Sequence, residues 1–126
     1  EQQHQDCEDR VMKERLARKC SIRKAVGDGE TAPIPLWVWR LGDSFMIGQP
    51  NEAYSYFQRE IRRQLSPHAV AVMNMVNGSV GYLPPRELYN KDIYQEWQTP
   101  FAAGSLELLV KTAIETVTEI ITQKQS

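Results

Sequence analysis

Leu36-Trp37-Val38-Trp39-Arg40-Leu41-Gly42-Asp43-Ser44-Phe45-Met46-Ile47-Gly48 is the stretch that decides the fold. Its first six residues are β-formers in alternation, Gly42-Asp43 is a two-residue turn, and Ser44 to Ile47 runs back. The spacing predicts a hairpin over 36–48, with Trp37, Trp39 and Leu41 sharing the core-facing side. Gln49-Pro50-Asn51-Glu52 then ends the second strand and opens a helix. Asn51 is placed to cap it and Glu52 falls in its first turn, where a carboxylate suits the helix dipole. Tyr54, Phe57, Ile61 and Leu65 recur at helical spacing and give the helix one apolar face. Ser66-Pro67 closes it, and Ala69 to Met75 reads as a buried strand. Strand, helix, strand at this length is a right-handed βαβ unit over about 44–75, so its two strands run parallel. The fold class is α/β, a small sheet with helices before and after it.

Upstream, Gln5 to Ala25 reads as a helix. Val11, Met12, Leu16 and Cys20 form a narrow apolar stripe, and acids lead into a basic run. Arg10, Lys13, Arg15, Arg18, Lys19, Arg23 and Lys24 supply seven of the chain's 15 Lys and Arg residues. No aromatic interleaves them, so they read as a solvated helix face rather than a nucleic-acid arm. Cys7 and Cys20 are separated by 13 positions in this helix. That is about 20 Å at 1.5 Å per residue, far beyond disulfide reach. Gly27 to Pro35 is a linker, rich in glycine and proline. Downstream, Ser105 is placed to cap a long final helix to about Ile121, buried through Leu106, Leu109, Val110, Ala113, Val117 and Ile120/Ile121. Gln123 to Ser126 is expected to fray.

The organisation is a basic helical arm at 1–26, a linker at 27–35 and an α/β core at 36–126 with a site loop at 76–103. The 126 residues are one domain's worth, or a fragment of a longer chain, since the sequence begins inside polar helical residues. Hydrophobic content of 41% and charged content of 25% are ordinary for a globular domain. A net charge of −1 offers no general attraction to nucleic acid or anionic lipid. No apolar run reaches the roughly 20 residues that span a bilayer.

Chemistry concentrates after the Ala69 to Met75 strand, in Asn77-Gly78-Ser79-Val80-Gly81-Tyr82-Leu83-Pro84-Pro85-Arg86-Glu87-Leu88-Tyr89-Asn90-Lys91-Asp92-Ile93-Tyr94. Two glycines and two prolines stop any regular element, and three tyrosines join Arg86, Glu87 and Asp92. A tyrosine presents an apolar ring with a phenol that donates, accepts or, once deprotonated, ligates. If the two strands of the βαβ unit are parallel, Glu52 and this loop leave the same edge of the sheet. The topology therefore predicts one site at that edge.

Gly81-Tyr82-Leu83-Pro84-Pro85-Arg86-Glu87 after Asn77-Gly78, with Tyr94 and Pro100-Phe101 beyond, resembles the neutral/alkaline non-lysosomal ceramidase family and its bacterial ceramidase-like relatives. The similarity runs from about Leu36 to Val117. It implies a zinc-dependent amidase that hydrolyses an N-acyl lipid amide to fatty acid and amine, with this chain as the C-terminal part of its catalytic domain. By the resemblance Glu52 and Tyr82 ligate zinc and Tyr94 stabilises the oxyanion. Pro50-Asn51-Glu52 departs from the family's Pro-Gly-Glu, and asparagine is a residue that tolerates the left-handed turn. The family's two zinc-binding histidines have no matching motif here, since neither His4 nor His68 sits in one. The resemblance therefore implies half a site and an inactive isolated chain, completed by an upstream part of the same protein. It also implies a secreted or periplasmic setting, although no signal lies within the chain. The alternative is a non-catalytic α/β interaction or oligomerisation module, with the N-terminal helix and Trp37 or Trp39 as contact surfaces.

Overall fold

A computed structural model describes residues 9–123, so His4, Cys7 and the expected fraying beyond 123 lie outside the described residues. Helix α1 (Arg10–Val26) precedes strands β1 (Trp37–Leu41) and β2 (Ser44–Gly48) and the two-residue β3 (Glu52–Ala53). Helix α2 (Ser55–Gln64), β4 (Val70–Met73) and β5 (Tyr82–Leu83) follow. A 3₁₀ turn at Arg86–Leu88, the short α3 (Tyr94–Trp97) and the long α4 (Ser105–Gln123) complete the described chain.

The α/β class stands. The hairpin pairs β1 antiparallel with β2, Val38 opposite Ile47 and Arg40 opposite Phe45. β2 pairs parallel with β4, Phe45 opposite Val70 and Gly48 opposite Met73, as strand–helix–strand connectivity requires. The sheet is therefore mixed, ordered β1-β2-β4, and a separate parallel pair joins β3 to β5.

The core lies between one face of the three-stranded sheet and helices α2 and α4. Phe45 and Ile47 of β2 meet Phe57, Ile61 and Leu65 from the α2 segment and Leu106, Val110, Ala113 and Val117 of α4. Each helix repeats its apolar residues at three and four, which turns one stripe inward. Burying one such aliphatic or aromatic side chain contributes about 1.5–3 kcal/mol relative to exposure.

Which face of β1 is inside differs from expectation. Val38 packs on the core, whereas Trp39 is 42% and Leu41 58% exposed. Register decides it: Val38 lies opposite the buried Ile47, so with a side-chain period of two Trp37, Trp39 and Leu41 take the outer face.

Three capping expectations also change. Asn51 does not cap α2; Tyr54 precedes that helix, with no side-chain cap, and its first turn holds no acid. Glu52 instead sits in β3, because its N–H donates to Gly81 O at 3.0 Å and extends the backbone into a ladder. Ser105 is already helical, and its hydroxyl donates to Ala102 O at 2.8 Å. In α1 the cap is Asp9, whose carboxylate accepts from Met12 N at 2.7 Å. Val11 and Met12 are exposed, so the packed part of the α1 stripe is Leu16 and Cys20, together with Ile22 and Val26.

Candidate functional site

The β3–β5 pair builds the site. Glu52 lies in register with Tyr82, and Ala53 with Leu83. Neighbouring parallel strands are about 4.8 Å apart and in-register side chains leave the same face. Glu52 and Tyr82 thus emerge together on one face, while Ala53 and Leu83 turn into the core on the other. The chain reaches this geometry through the Asn77-Gly78 turn, where Asn77 has φ 55° and Gly78 φ 132°. Gly81 follows at φ 96°, and a Cβ there would stand 2.8 Å from Gln98 O, so only glycine fits.

Burial pushes the Tyr82 phenol above its ordinary value of 10.0. The Glu52 carboxylate raises it further, through its charge and as acceptor of the Tyr82 O–H hydrogen bond. Tyr94 acts in the same direction and Arg18 opposes it. Each cause favours the neutral phenol except the arginine, so Tyr82 keeps its proton at neutral pH.

Tyr94, the first residue of α3, meets Tyr82 edge-on, with ring centroids 5.8 Å apart and planes at 73°. That is a favourable arrangement for two aromatic quadrupoles. The Tyr94 hydroxyl accepts an N–H from Arg18 at 3.0 Å, which leaves its own proton to donate elsewhere. The Arg15 guanidinium lies 5.3 Å from the Tyr94 ring centroid, and Lys19 Nζ is 4.8 Å from that of Trp97.

Glu52, Tyr82 and Tyr94 are therefore brought together. Tyr89 is not: its hydroxyl donates to Phe101 O at 3.0 Å, away from the site. Arg86 and Glu87 are exposed on the 3₁₀ turn, and Arg86 N donates to Glu107 at 2.9 Å. Asp92 is exposed with φ 52°. His68 lies at the far end of β2 from Glu52. Its Nδ1 is 2.9 Å from Asp43 O in the hairpin turn, and its ring stands edge-on to Phe45.

The basic helix face was the part that sequence reasoning missed. Arg15, Arg18 and Lys19 share one side of α1 by their spacing of three and four. Nothing in the sequence said which loop that side would meet. Among the described residues no group of three or more His, Cys, Asp and Glu could hold a metal. No family model, curated protein or solved structure matches this chain. No described helix is long and apolar enough to cross a membrane.

Proposed function

We propose that this chain carries part of the site of a zinc-dependent amide hydrolase of the neutral ceramidase kind, cleaving an N-acyl lipid amide to fatty acid and amine. One observation carries the reading. The carboxyl of Glu52, the phenol of Tyr82 and the phenol of Tyr94 meet at one sheet edge, and the motif resemblance assigns those same three residues to one centre.

Glu52 and Tyr82 are two oxygen donors set side by side in register, and a divalent cation bound there would hold the phenol in its deprotonated form. Catalytic zinc generally takes three protein ligands. The donors among the described residues fall short of that set, so they do not form a zinc site alone. The reading needs further ligands from outside residues 9–123, and the isolated chain is expected to be inactive.

The residues present have a definite role in amide cleavage. An amide oxygen gains negative charge as its carbonyl carbon becomes tetrahedral. Tyr94 donates its free proton to that oxygen, while Arg18, already bonded to the Tyr94 oxygen, adds positive charge nearby. The test is metal analysis and an N-acyl amide hydrolysis assay on the full-length protein. Tyr94→Phe should lower kcat by about 10²-fold with zinc retained, and Tyr82→Phe should lose zinc. Unchanged zinc and activity in both variants would remove the assignment.

An interaction module is the second reading, favoured by the exposure of Trp39 and Leu41 on the sheet face opposite the helices. It predicts a dimer in sizing chromatography that Leu41→Asp breaks. A monomer at every concentration ends it.

A further inference from the structure

The three-stranded sheet has two outer edges, β4 and β1, and the chain treats them differently. In β4 the Val70 carbonyl points away from β2, because its neighbour Ala69 O accepts from Phe45 N at 2.9 Å. Arg62 Nε donates to that outward carbonyl at 3.2 Å. A charged side chain laid on an edge keeps other strands off it. β1 has no such guard. Phe45 spends its N–H on β4, so Arg40, opposite it, belongs to a pair that exchanges no hydrogen bond. Val38, two residues back and opposite Ile47, belongs to another. The N–H and C=O groups of Val38 and Arg40 therefore point out of the sheet, and among the described residues none of the four has a partner.

The long side chains of β1 leave that edge open. The Arg40 guanidinium turns to Gly42 O at 2.7 Å and to Ile120 O at 3.4 Å. The Trp39 ring lies back over Gly48, where an added Cβ would stand 3.5 Å from it. β1 contains no Lys or Pro, and its register with β2 is continuous, without a bulge. The occupant such an edge fits is its own copy. Two antiparallel β1 strands related by a two-fold axis at Trp39 put Val38 of each opposite Arg40 of the other. Both are hydrogen-bonded pairs, so all four outward groups of each strand are satisfied at once. Trp39 then faces Trp39 and Trp37 faces Leu41, an apolar row on the outer side of the sheet. An axis at Arg40 would oppose two arginines, and one at Val38 would run the pairing into Pro35, which has no N–H. A net charge of −1 adds little repulsion between copies.

We infer that β1 pairs with β1 of a second copy, antiparallel and centred on Trp39, to give one continuous sheet of order β4-β2-β1-β1-β2-β4. The proposal rests on the interaction-module reading and deepens it, naming the partner and the pairing. Five residues a side fall well short of the roughly 20–30 of a standard interface, so the dimer assembles in the micromolar range or above.

The experiment is sedimentation velocity and ¹H–¹⁵N NMR on the full chain from about 1 μM to about 1 mM, the range in which so small an interface forms. The wild type should pass from monomer to dimer, with the Val38 and Arg40 amides shifting saturably and gaining protection from exchange. Trp39→Lys and Trp39→Glu each set like charges face to face across the axis, and each should raise the dissociation constant by about tenfold or more. Mixed in equal amounts they should restore the dimer, because residue 39 of one chain faces residue 39 of the other. If either variant does not fold, the wild-type amide shifts decide. A chain that stays monomeric at about 1 mM overturns the proposal and the interaction-module reading together. A dimer whose Val38 and Arg40 amides do not move, or whose two charged variants fail to restore each other, overturns the pairing and leaves that reading standing.

Discussion

Glu52 and Tyr82 stand opposite each other in a parallel ladder only two residues long, close enough for the Glu52 carboxylate to raise the Tyr82 pKa. So short a ladder depends on what surrounds it.

Gln49 is the first support. Completely buried, it donates to Asn51 O and to Asn74 Oδ1 at 2.7 Å, and it accepts from Asn51 N. Asn74 in turn donates to Ala53 O at 2.8 Å, which ties β3 to the end of β4. Gln49→Leu strands several of these groups, and the expected loss is about 3 kcal/mol. Urea denaturation measures it. A loss below about 1 kcal/mol would mean that the network does not hold β3 in place.

Gly81 is the second. Its left-handed φ and the 2.8 Å approach of Gln98 O leave no room for a methyl group. Gly81→Ala should cost about 2–3 kcal/mol and separate the Tyr94 segment from Tyr82. Thermal denaturation checks the first part. The ring-current shifts of the two tyrosines check the second.

Asn51→Leu should act in the opposite direction. Removing an unpaired buried amide should stabilise the protein by about 1–2 kcal/mol. A Tm that falls in this variant would show that Asn51 finds a partner in the folded chain.

Stability should also decline in alkali. Tyr54, Tyr82 and Tyr89 are all raised above 10.0, each chiefly by burial, so the folded state holds those protons more tightly than the unfolded one. Stability from these groups is full below the unfolded value of about 10 and is lost as pH climbs toward the folded values. Tm measured across that window should drop with pH, and Tyr89→Phe should reduce the slope. A flat profile contradicts the burial of these phenols.

How far the residues announced this fold can be argued element by element. The hairpin and the parallel β2–β4 pairing follow from a two-residue turn and from a helix too short to do anything but return the chain. The long α4 follows from its repeat of apolar residues. Two features escaped for the same reason. Trp37, Trp39 and Leu41 look like a core face because they are large and alternate, yet Val38 is inside because its register partner Ile47 is. Register is set across strands and cannot be read along one of them. Likewise Asn51-Glu52 carries a helix-start pattern, and only the distant Gly81 carbonyl draws it into a strand. At the site, topology alone brought Glu52 to the tyrosine loop. Tyr89 was indistinguishable in sequence from Tyr82 and Tyr94, and the contact of Arg15 and Arg18 with Tyr94 depends on docking between segments 76 positions apart.

The most direct measurement is a ¹³Cζ-tyrosine NMR titration of the wild-type chain and of Glu52→Gln. Glu52 raises the Tyr82 pKa through charge and as hydrogen-bond acceptor. Tyr82 should therefore titrate above an ordinary tyrosine in the wild type and clearly lower in Glu52→Gln, with Tyr89 unmoved. Tyr82 titrating identically in both would mean that the carboxyl and the phenol do not meet, and the site would not exist as described.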